Sequence, residues 1–298
     1  MIQLARKRIL PLIRHALRED GASKDLTSRS VLPSDARVTA RIVAKAPGIL
    51  AGGPVALWTF QTVEPTLRCA LKAQEGAQLK KGQTILMVSG RARSIFAAER
   101  VALNILGHLS GIATLTHEFV RRVRPFRAKI FDTRKTLPGL RLLEKYAVAV
   151  GGGRNHRFGL PDAVLIKTSH LRAAYRVERR AERTGIQAAI KRARRKARRK
   201  FVEVEVTNHL EFEAALRAQP DAILLDNWTV SQVRKAVALL HATRSTLNAS
   251  LLLEVSGGVT LDNVRAIAKT GVDRISIGRL THSAPSLDLS LLVTSDGG

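Results

Sequence analysis

Two kinds of apolar pattern divide this chain. Residues 36–90 carry short apolar runs separated by turn residues, which predicts a small β-rich domain. Residues 97–123 repeat apolar positions close to the helical period, which predicts a helix or a helix pair leading away from that domain. We therefore expect an N-terminal α/β domain, with a β-rich sandwich, over residues 1–115. A C-terminal segment, residues 280–298, can return to pair with it.

Beyond residue 115 the pattern changes to short apolar runs that alternate with helical segments. This alternation predicts an α/β barrel or a parallel sheet over residues 116–279. Most runs finish with a polar, charged or glycine residue, and α/β barrels assemble their active sites at that end of the strands. We therefore expect these residues to meet in one place. The runs span 129–133, 163–167, 202–206, 222–226, 251–256 and 274–278, with Asp132, Lys167, Glu205, Asp226, Ser256 and Gly278 near their ends.

The composition is that of a globular protein with a large excess of positive charge. Of 298 residues, 45% are hydrophobic, and 50 Lys and Arg stand against 24 Asp and Glu, a formal net charge of +26. Such an excess attracts anions, whether nucleotides, phosphorylated sugars or nucleic acid. The single Cys69 excludes an internal disulfide and a CxxC metal site, so we expect a cytoplasmic protein. No apolar stretch approaches membrane-spanning length, and no membrane partner is expected.

The first twenty residues are amphipathic, rich in arginine and poor in acidic residues, as organelle transit peptides are. They run directly into Asp25, Leu26 and Thr27 without a small-residue cleavage pattern. We therefore interpret this segment as a helix of the N-terminal domain.

Residues 132–170 combine cationic side chains with turn-forming glycines. Glycines permit tight turns and close approach of the backbone to a ligand, and a plain charged surface helix has no need of them. The combination predicts a preformed pocket for a small molecule with several negative charges. The cationic residues are Arg134, Lys135, His156, Arg157 and Lys167.

Several motifs in this order and spacing give the chain a family resemblance over nearly its whole length. They include AERVALNILGHLSGIATLT at 98–116, DTRKTLPGLR at 132–141, EKYAVAVGGGRNHRFGL at 144–160 and LLDN at 224–227. With them the chain resembles the quinolinate phosphoribosyltransferases, also called carboxylating nicotinate-nucleotide pyrophosphorylases. The resemblance implies an N-terminal α/β domain, an incomplete six-stranded α/β barrel and a role in NAD biosynthesis. The implied reaction joins quinolinate to the phosphoribosyl group of phosphoribosyl pyrophosphate and yields nicotinate mononucleotide, pyrophosphate and carbon dioxide.

The resemblance also implies roles for individual residues. Thr133 belongs to the substrate-binding set. The quinolinate carboxylates would be bound by Arg134, His156 and Arg157, and the planar guanidinium group of arginine suits a carboxylate. Four residues are implied in catalysis: Lys135 and Lys167, beside the carboxylates and phosphates, and Glu205 and Asp226, near the ribose and its Mg²⁺. The residues implied in phosphate binding are Ser256, Gly257, Gly258 and Gly278.

Arg100 matches a residue that, in this family, enters the site of a partner subunit. The resemblance therefore implies a homodimer, with a hexamer left open. Mg²⁺ bound with phosphoribosyl pyrophosphate is implied, with Glu205 and Asp226 as its ligands. No organic cofactor is implied.

One departure from the family pattern follows the predicted strand lysine. The family usually has an acidic residue, then Asn, then His, whereas Lys167 is followed here by Thr168, Ser169 and His170. The alternatives are harmless loop variation and a related phosphoribosyltransferase that acts on another aromatic carboxylate or has weakened activity. On the neighbouring predicted strand we expect Glu203 to face away from Glu205, toward a helix, in a salt bridge.

The segment 172–200 is the most basic part of the chain, with 13 Lys and Arg against 2 Glu. A spacing of four residues predicts a helix whose narrow apolar stripe is Ala189, Ala193, Ala197 and Phe201. We interpret it as a solvated barrel helix. The alternative is a non-specific contact with nucleic acid, on a basic binding protein derived from the enzyme fold.

Overall fold

The computed structural model describes residues 4–178, 182–243 and 250–294. The chain forms two compact units. The first consists of Met1–His117, Thr136–Gly152 and Arg279–Gly298, and the second of Glu118–Lys135 and Gly153–Gly278.

The helices and strands are numbered here in chain order. The helices are α1 (Arg6–Glu19), a 3-10 turn (Ala22–Lys24), α2 (Leu26–Val31), α3 (Gly53–Val63), α4 (Ala92–Val123), α5 (Arg141–Val150), α6 (Thr168–Glu178), α7 (Glu182–Ala197), α8 (His209–Ala218), α9 (Val230–Thr243), α10 (Val264–Ala268) and α11 (Arg279–His282). The strands are β1 (Arg37–Ala44), β2 (Gly48–Ile49), β3 (Arg68–Leu71), β4 (Gln78–Leu79), β5 (Thr84–Arg91), β6 (Lys129–Phe131), β7 (Val164–Ile166), β8 (Val202–Val206), β9 (Ala222–Asp226), β10 (Leu252–Ser256), β11 (Arg274–Ser276) and β12 (Leu289–Thr294).

The first unit is built on a four-stranded antiparallel sheet of order β12-β1-β5-β3, with a small β2-β4 pair. The C-terminal strand β12 pairs with β1, from Thr39 opposite Thr294 to Ala44 opposite Leu289. Side chains alternate along β1 and β5, so one face of the sheet is apolar and packs on helices α3 and α4. The largest residues of that core include Ile42, Phe60, Leu86, Ile95 and Leu106.

Helix α1 confirms the interpretation of the N-terminal segment as a domain helix. Ile9, Ile13 and Leu17 recur every four residues and are buried, which places them on one face that packs near α3. The apolar stretch at 97–123 lies within a single helix of 32 residues, α4, rather than forming a pair. A Cβ at Gly111 would lie 2.0 Å from the carbonyl oxygen of Pro285, so a glycine there lets the C-terminal segment pass.

The second unit is built on a six-stranded parallel sheet of order β6-β11-β10-β9-β8-β7. Each of the six predicted apolar runs contains one of these strands, and strands β8 and β9 match their runs from end to end. Such strands read as nearly continuous apolar runs because helices cover the sheet. The predicted α/β fold, with an antiparallel-sheet domain and a six-stranded parallel sheet, is confirmed. Within the described residues, no helix is both long enough and apolar enough to cross a membrane.

The basic segment contains the predicted helix, α7, but its apolar stripe was placed wrongly. Ile186 and Ile190 are buried, whereas Ala189 and Ala197 are only half-buried. Ile186 and Ile190 lie seven and three residues before Ala193 and bury far more apolar area than alanine does, so they determine which face turns inward. Residues 179–181 lie outside the described residues.

Candidate active site

The predicted site residues of the second unit lie at the C-terminal ends of its strands. Because all six strands are parallel, these ends share one edge of the sheet. The residues that follow or end a strand there are Thr133, Arg134 and Lys135 after β6, Lys167 after β7, Glu205 in β8, Asp226 at the end of β9, Ser256 with Gly257 and Gly258 at the end of β10, and Gly278 after β11.

His156 and Arg157 are carried to this edge by a loop that continues the sheet beside β6. Arg154 forms a parallel bridge with Phe131, and its N–H donates to the carbonyl oxygen of Ile130 at 2.8 Å. The fully buried Asp132 then accepts two hydrogen bonds, from the backbone N–H of His156 at 2.8 Å and from Asn155 Nδ2 at 2.6 Å. The loop is therefore fixed relative to the strand that precedes the DTRK motif.

The His156 ring contacts two buried carboxylates. Its Nε2 lies 3.0 Å from Glu203 Oε2 and 3.5 Å from Glu254 Oε1, and the side chains are 12%, 1% and 0% exposed, respectively. Burial lowers the pKa of His156, but hydrogen bonds and charge from Glu203 and Glu254 outweigh it and raise the pKa to about 10. Burial, and then the charge of Glu254, raises the pKa of Glu203, which His156 opposes. The two glutamates therefore favour the protonated form of His156.

The sequence-based expectation for Glu203 was wrong. Residues two apart on a strand share a face, so Glu203 and Glu205 point to the same side of β8. Glu203 contacts His156 rather than a helix-facing partner. The two-residue spacing of Glu203 and Glu205 was enough to place them on one face. A second signal is a loop histidine outside any metal-ligand pattern, which is a reason to look for a buried acidic residue beside it. Glu254 and Arg274 were not identified from the sequence at all.

Arg134 and Arg157 lie close enough to repel each other. The pKa of Arg157 is lowered, first by burial and then by the charge of Arg134, and Arg157 donates to the carbonyl oxygen of Ala163 at 2.9 Å. The Nε atoms of Arg134 and Arg157 are buried and have no hydrogen-bond partner among the described residues. Two such cations need an anion to compensate them, and a planar carboxylate fits the arginine fork.

Glu205 and Asp226 form a second, acidic part of this edge. Burial and the charge of Glu205 raise the pKa of Asp226, while Asn227 and the two lysines, Lys135 and Lys167, oppose that rise. The four charged groups are therefore close enough to act on one another. Thr168, at the departure from the family pattern, donates its hydroxyl and its N–H to Glu205 Oε1, at 2.9 and 3.2 Å.

Between β10 and α10 the backbone makes a tight glycine turn. Gly257 and Gly258 have φ of +85° and +61°, and a Cβ at Gly257 would lie 2.2 Å from Asn227 Oδ1, so a side chain is excluded there. Ser256 accepts from the N–H of Asn227 at 2.9 Å, which joins this turn to the end of β9. Consecutive N–H groups in such turns form concavities that bind phosphate.

Arg100 is the one predicted site residue that lies in the first unit. It is exposed on α4 and borders a cavity of about 380 Å³ in that unit, beside Asn104 and Asp288. The cluster at the strand ends is built entirely from residues of the second unit.

The chain is similar throughout its length to proteins of one family. Family models match two regions: "Quinolinate phosphoribosyl transferase, N-terminal domain" at residues 25–110 and the corresponding C-terminal domain at residues 112–292. The carboxylating nicotinate-nucleotide pyrophosphorylase of Mycobacterium leprae is 42% identical over 94% of this chain and 95% of that protein. A probable enzyme of the same name from Bacillus subtilis is 41% identical over 95% and 92%. The structure of nicotinate-nucleotide pyrophosphorylase from Francisella tularensis superposes with a TM-score of 0.88 at 36% identity, covering 98% of each chain.

Proposed function

Because the chain belongs to the quinolinate phosphoribosyl transferase family, we propose that it transfers the phosphoribosyl group of phosphoribosyl pyrophosphate to quinolinate. The reaction forms nicotinate mononucleotide and releases pyrophosphate and carbon dioxide. It is the step by which NAD biosynthesis acquires its pyridine nucleotide.

The observation that supports this function most directly is a pair of arginines at the strand ends, Arg134 and Arg157, whose buried Nε atoms have no hydrogen-bond partner among the described residues. His156, which precedes Arg157 in the chain, is paired with the buried carboxylates of Glu203 and Glu254. A diacid such as quinolinate satisfies these groups with two planar carboxylates. When these fixed cations replace water around the two carboxylates, they hold the diacid in one orientation, with its ring nitrogen placed to attack the phosphoribosyl group.

The acidic pair serves the ribose half of the reaction. As the bond between the anomeric carbon and pyrophosphate breaks, positive charge develops on the sugar, and the carboxylates of Glu205 and Asp226 stabilise it. Lys135 and Lys167, which face Asp226, attract the departing pyrophosphate. The turn at Ser256, Gly257 and Gly258 offers backbone N–H groups to a phosphate.

A divalent cation fits the same pair. Glu205 and Asp226 are half-buried oxygen donors, and burial together with the charge of Glu205 raises the pKa of Asp226. Mg²⁺ favours carboxylate oxygens together with substrate phosphates. Glu205 and Asp226 would hold it. When bound with phosphoribosyl pyrophosphate, Mg²⁺ neutralises charge on the leaving pyrophosphate.

Loss of carbon dioxide follows from the chemistry of the bound product. Once the pyridine nitrogen carries the ribose it is cationic. When the bond between ring carbon and carboxylate breaks, the electron pair stays on that ring carbon beside the positive nitrogen, and a proton then replaces the carboxylate. The chain therefore needs to bind and orient the diacid, and it needs no covalent intermediate of its own.

The assembly that goes with this function is a homodimer in which Arg100 completes the partner's site. Arg100 is exposed on α4, as such a residue must be. The test is complementation: Arg100→Ala and Glu205→Gln variants, each nearly inactive, are mixed and exchanged. Recovery of about a quarter of the wild-type activity, as expected when one site in four pairs an intact Arg100 with an intact Glu205, supports shared sites. No recovery despite proven exchange opposes them.

A related enzyme with another aromatic carboxylate is the second candidate, since Thr168 and Ser169 depart from the family pattern. Thr168 contacts Glu205, in the half of the site assigned to ribose, rather than the arginines assigned to the diacid. The departure therefore favours altered handling of phosphoribosyl pyrophosphate over an altered acid.

One incubation separates the candidates. The protein is mixed with phosphoribosyl pyrophosphate, Mg²⁺ and quinolinate or nicotinate, and nucleotide and gas are measured. Nicotinate mononucleotide with carbon dioxide from quinolinate supports the proposed function. Product from nicotinate without gas supports the second candidate. No turnover, with salt-sensitive retention on DNA, supports a nucleic-acid-binding derivative instead.

A further inference from the structure

A compact charged cluster lies beside His156 in the second unit, formed by Glu203, Glu254 and Arg274. We propose that Glu203 and Glu254 are positioning residues that keep His156 as an imidazolium in one orientation, so that it meets the quinolinate carboxylate as a permanent cation. The identity of that anion rests on the proposed function. The protonation and orientation of His156 do not.

The first support is the charge balance of this buried cluster. Glu203 and Glu254 are almost fully buried, and the oxygens Glu203 Oε1 and Glu254 Oε1 and Oε2 have no hydrogen-bond partner of good geometry among the described residues. Carboxylates in that position need cations nearby. His156 Nε2 is the nearest, 3.0 and 3.5 Å from the two carboxylates. A neutral imidazole would leave two negative charges against one.

Arg274 supplies the second cation but cannot replace the first. Its guanidinium lies 5.0 Å from the ring centre of Phe131 and 4.8 Å from that of Phe201, so it is stacked between two aromatic rings. Its NH1 remains 3.9 Å from Glu254 Oε2. Arg274 therefore compensates Glu254 from a distance, and the imidazolium of His156 compensates Glu203.

Orientation is fixed from two directions. The backbone N–H of His156 donates to Asp132, and the ring Nε2 donates to Glu203. With the backbone held at one end and Nε2 at the other, the ring has little freedom to rotate. A clamp of this kind is what holds a charged group within reach of a carboxylate before the substrate arrives.

A metal ion is the competing occupant. His156, Glu203 and Glu254 offer one nitrogen and two carboxylate oxygens, all within 4.8 Å of one another. A divalent ion would have to displace the proton from Nε2 and stand close to Arg274, and the carboxylates are cut off from water. The proton is the smaller charge and needs no entry path, so the arrangement favours an imidazolium.

The titration expected of His156 agrees with this geometry. The charged groups that face it are Glu203 from β8, Glu254 from β10, Arg274 beyond Glu254 on β11, Arg157 on its own loop, and Asp132 at its backbone. Burial lowers its pKa, and the two glutamates raise it from the ordinary 6.5 to about 10. The protonation of His156 therefore contributes its stability fully below about pH 6.5, and this contribution is lost as the pH rises through about 10.

Two variants distinguish a charge-holding role from simple packing. Glu254→Gln keeps the shape and removes one negative charge, so His156 should lose its proton at lower pH. Arg274→Met removes the balancing cation and keeps an apolar chain between the phenyl rings, so His156 should stay protonated. If the cluster acted only by packing, Glu254→Gln would leave the titration of His156 unchanged, as Arg274→Met is expected to do. Glu213→Gln on the surface of α8 is the control for the amide substitution.

The first measurement is NMR titration of ring-labelled histidine in the unliganded protein, with the His156 signal assigned by a His156→Asn variant. We expect His156 to remain charged to above pH 9 in the wild type and Arg274→Met, and to titrate at least one pH unit lower in Glu254→Gln. If Glu254→Gln does not fold, Glu203→Gln is the second variant. A wild-type His156 that titrates near 6.5, or that shifts on addition of Zn²⁺ or Mg²⁺ as a ligand, overturns the proposal.

The second measurement is the KM for quinolinate against pH. Each pH unit above the pKa lowers the charged fraction about tenfold, so KM in Glu254→Gln should rise about fourfold or more from pH 6.5 to 9.5, with kcat much less affected. In Arg274→Met and the wild type this rise should be absent. The same rise in all three proteins would refute the role of Glu254. If the wild type does not turn over quinolinate, the proposed function fails, and the NMR titration still decides this inference.

Discussion

Both units contain buried or half-buried glutamates, but their surroundings differ. In the first unit Glu75 accepts from the N–H groups of Gly52 and Gly53, at 2.9 and 2.6 Å, and from the hydroxyl of Tyr146. In the second unit Glu203 shares one cation with Glu254, and three of their four oxygens accept no hydrogen bond of good geometry among the described residues. One glutamate is fully satisfied and the others are not.

The difference separates structural carboxylates from functional ones. A carboxylate with all its donors in place ties chain segments together, as the half-buried Glu75 ties the start of α3 to α5, and its effect appears in folding. A buried carboxylate without its donors costs stability, and its retention is explained when it sets the charge of a neighbour at a site. Glu75 is half-buried and Glu203 and Glu254 are almost fully buried, and the two kinds of carboxylate differ most in their count of hydrogen bonds.

The largest expected effect is on the structural side. Glu75→Ala leaves three donors without an acceptor, so the free energy of unfolding should fall by about 3–5 kcal/mol, measured by urea denaturation. Glu75→Gln, which keeps one acceptor oxygen, should lose less. Equal losses in the two variants would show that shape rather than hydrogen bonding matters here.

For Arg134 we expect the reverse of Glu75, a large effect on activity and no loss of stability. Arg134→Ala should lower kcat/KM for quinolinate by a factor of about 100, or about 2–3 kcal/mol, because a charge-assisted pair with the substrate is lost. Its free energy of unfolding should stay the same or rise, since the repulsion with Arg157 is removed. Arg134→Lys retains the charge without the fork and should fall between. Near-normal kcat/KM in Arg134→Ala would contradict the site.

A smaller effect is expected at Thr168, which satisfies Glu205 in the second unit. Thr168→Val removes a hydroxyl donor from Glu205 at nearly constant shape and should lower kcat/KM for phosphoribosyl pyrophosphate about fivefold, equivalent to about 1 kcal/mol. The exposed Ser169 offers the control, since Ser169→Ala should change nothing. A rise in KM for quinolinate alone would move Thr168 to the diacid half of the site.

How far the sequence predicts this molecule depends on the kind of signal. The six parallel strands were predictable because a strand covered on both sides is apolar along its whole length, and the residues at their ends followed from the direction of the chain. The glycine turn at Gly257 was predictable for a similar reason, since its positive φ excludes most residues. The family motifs identified the cationic residues of the loop at 153–163.

The remaining features depend on partners far apart along the chain. Glu254 meets His156 only because β10 and the 153–163 loop are brought together by folding, and no local pattern marks that contact. The stripe of α7 was misplaced because spacing alone does not weigh isoleucine against alanine. Glu203 is a different case, since strand alternation applied correctly places it beside Glu205 on the same face.

The smallest expected effect concerns the basic helix α7. Its cationic side chains can also be divided into those that are hydrogen-bonded within the fold and those that are exposed. Arg194 is bound through two nitrogens to Asp221, at 3.0 and 2.9 Å, and Asp221 also accepts from the N–H of Val202, so this pair ties α7 to β8. Lys191, Arg195 and Lys196 are exposed. Arg194→Gln should therefore cost about 1 kcal/mol of unfolding free energy, at the upper end for a partly exposed pair.

Replacement of Lys191, Arg195 and Lys196 together by Gln should change the unfolding free energy by less than about 0.5 kcal/mol and leave kcat/KM unaltered. Duplex DNA retention across a salt series is measured on the same variants. If the exposed cations serve only to keep the helix surface solvated, the wild type and the triple variant will elute alike from duplex DNA at physiological salt. A marked loss of retention in the triple variant, with a flatter dependence on salt, would mean that these side chains bind phosphate. Arg194→Gln is the matched control, because it removes a positive charge from the same helix at a position already committed to Asp221.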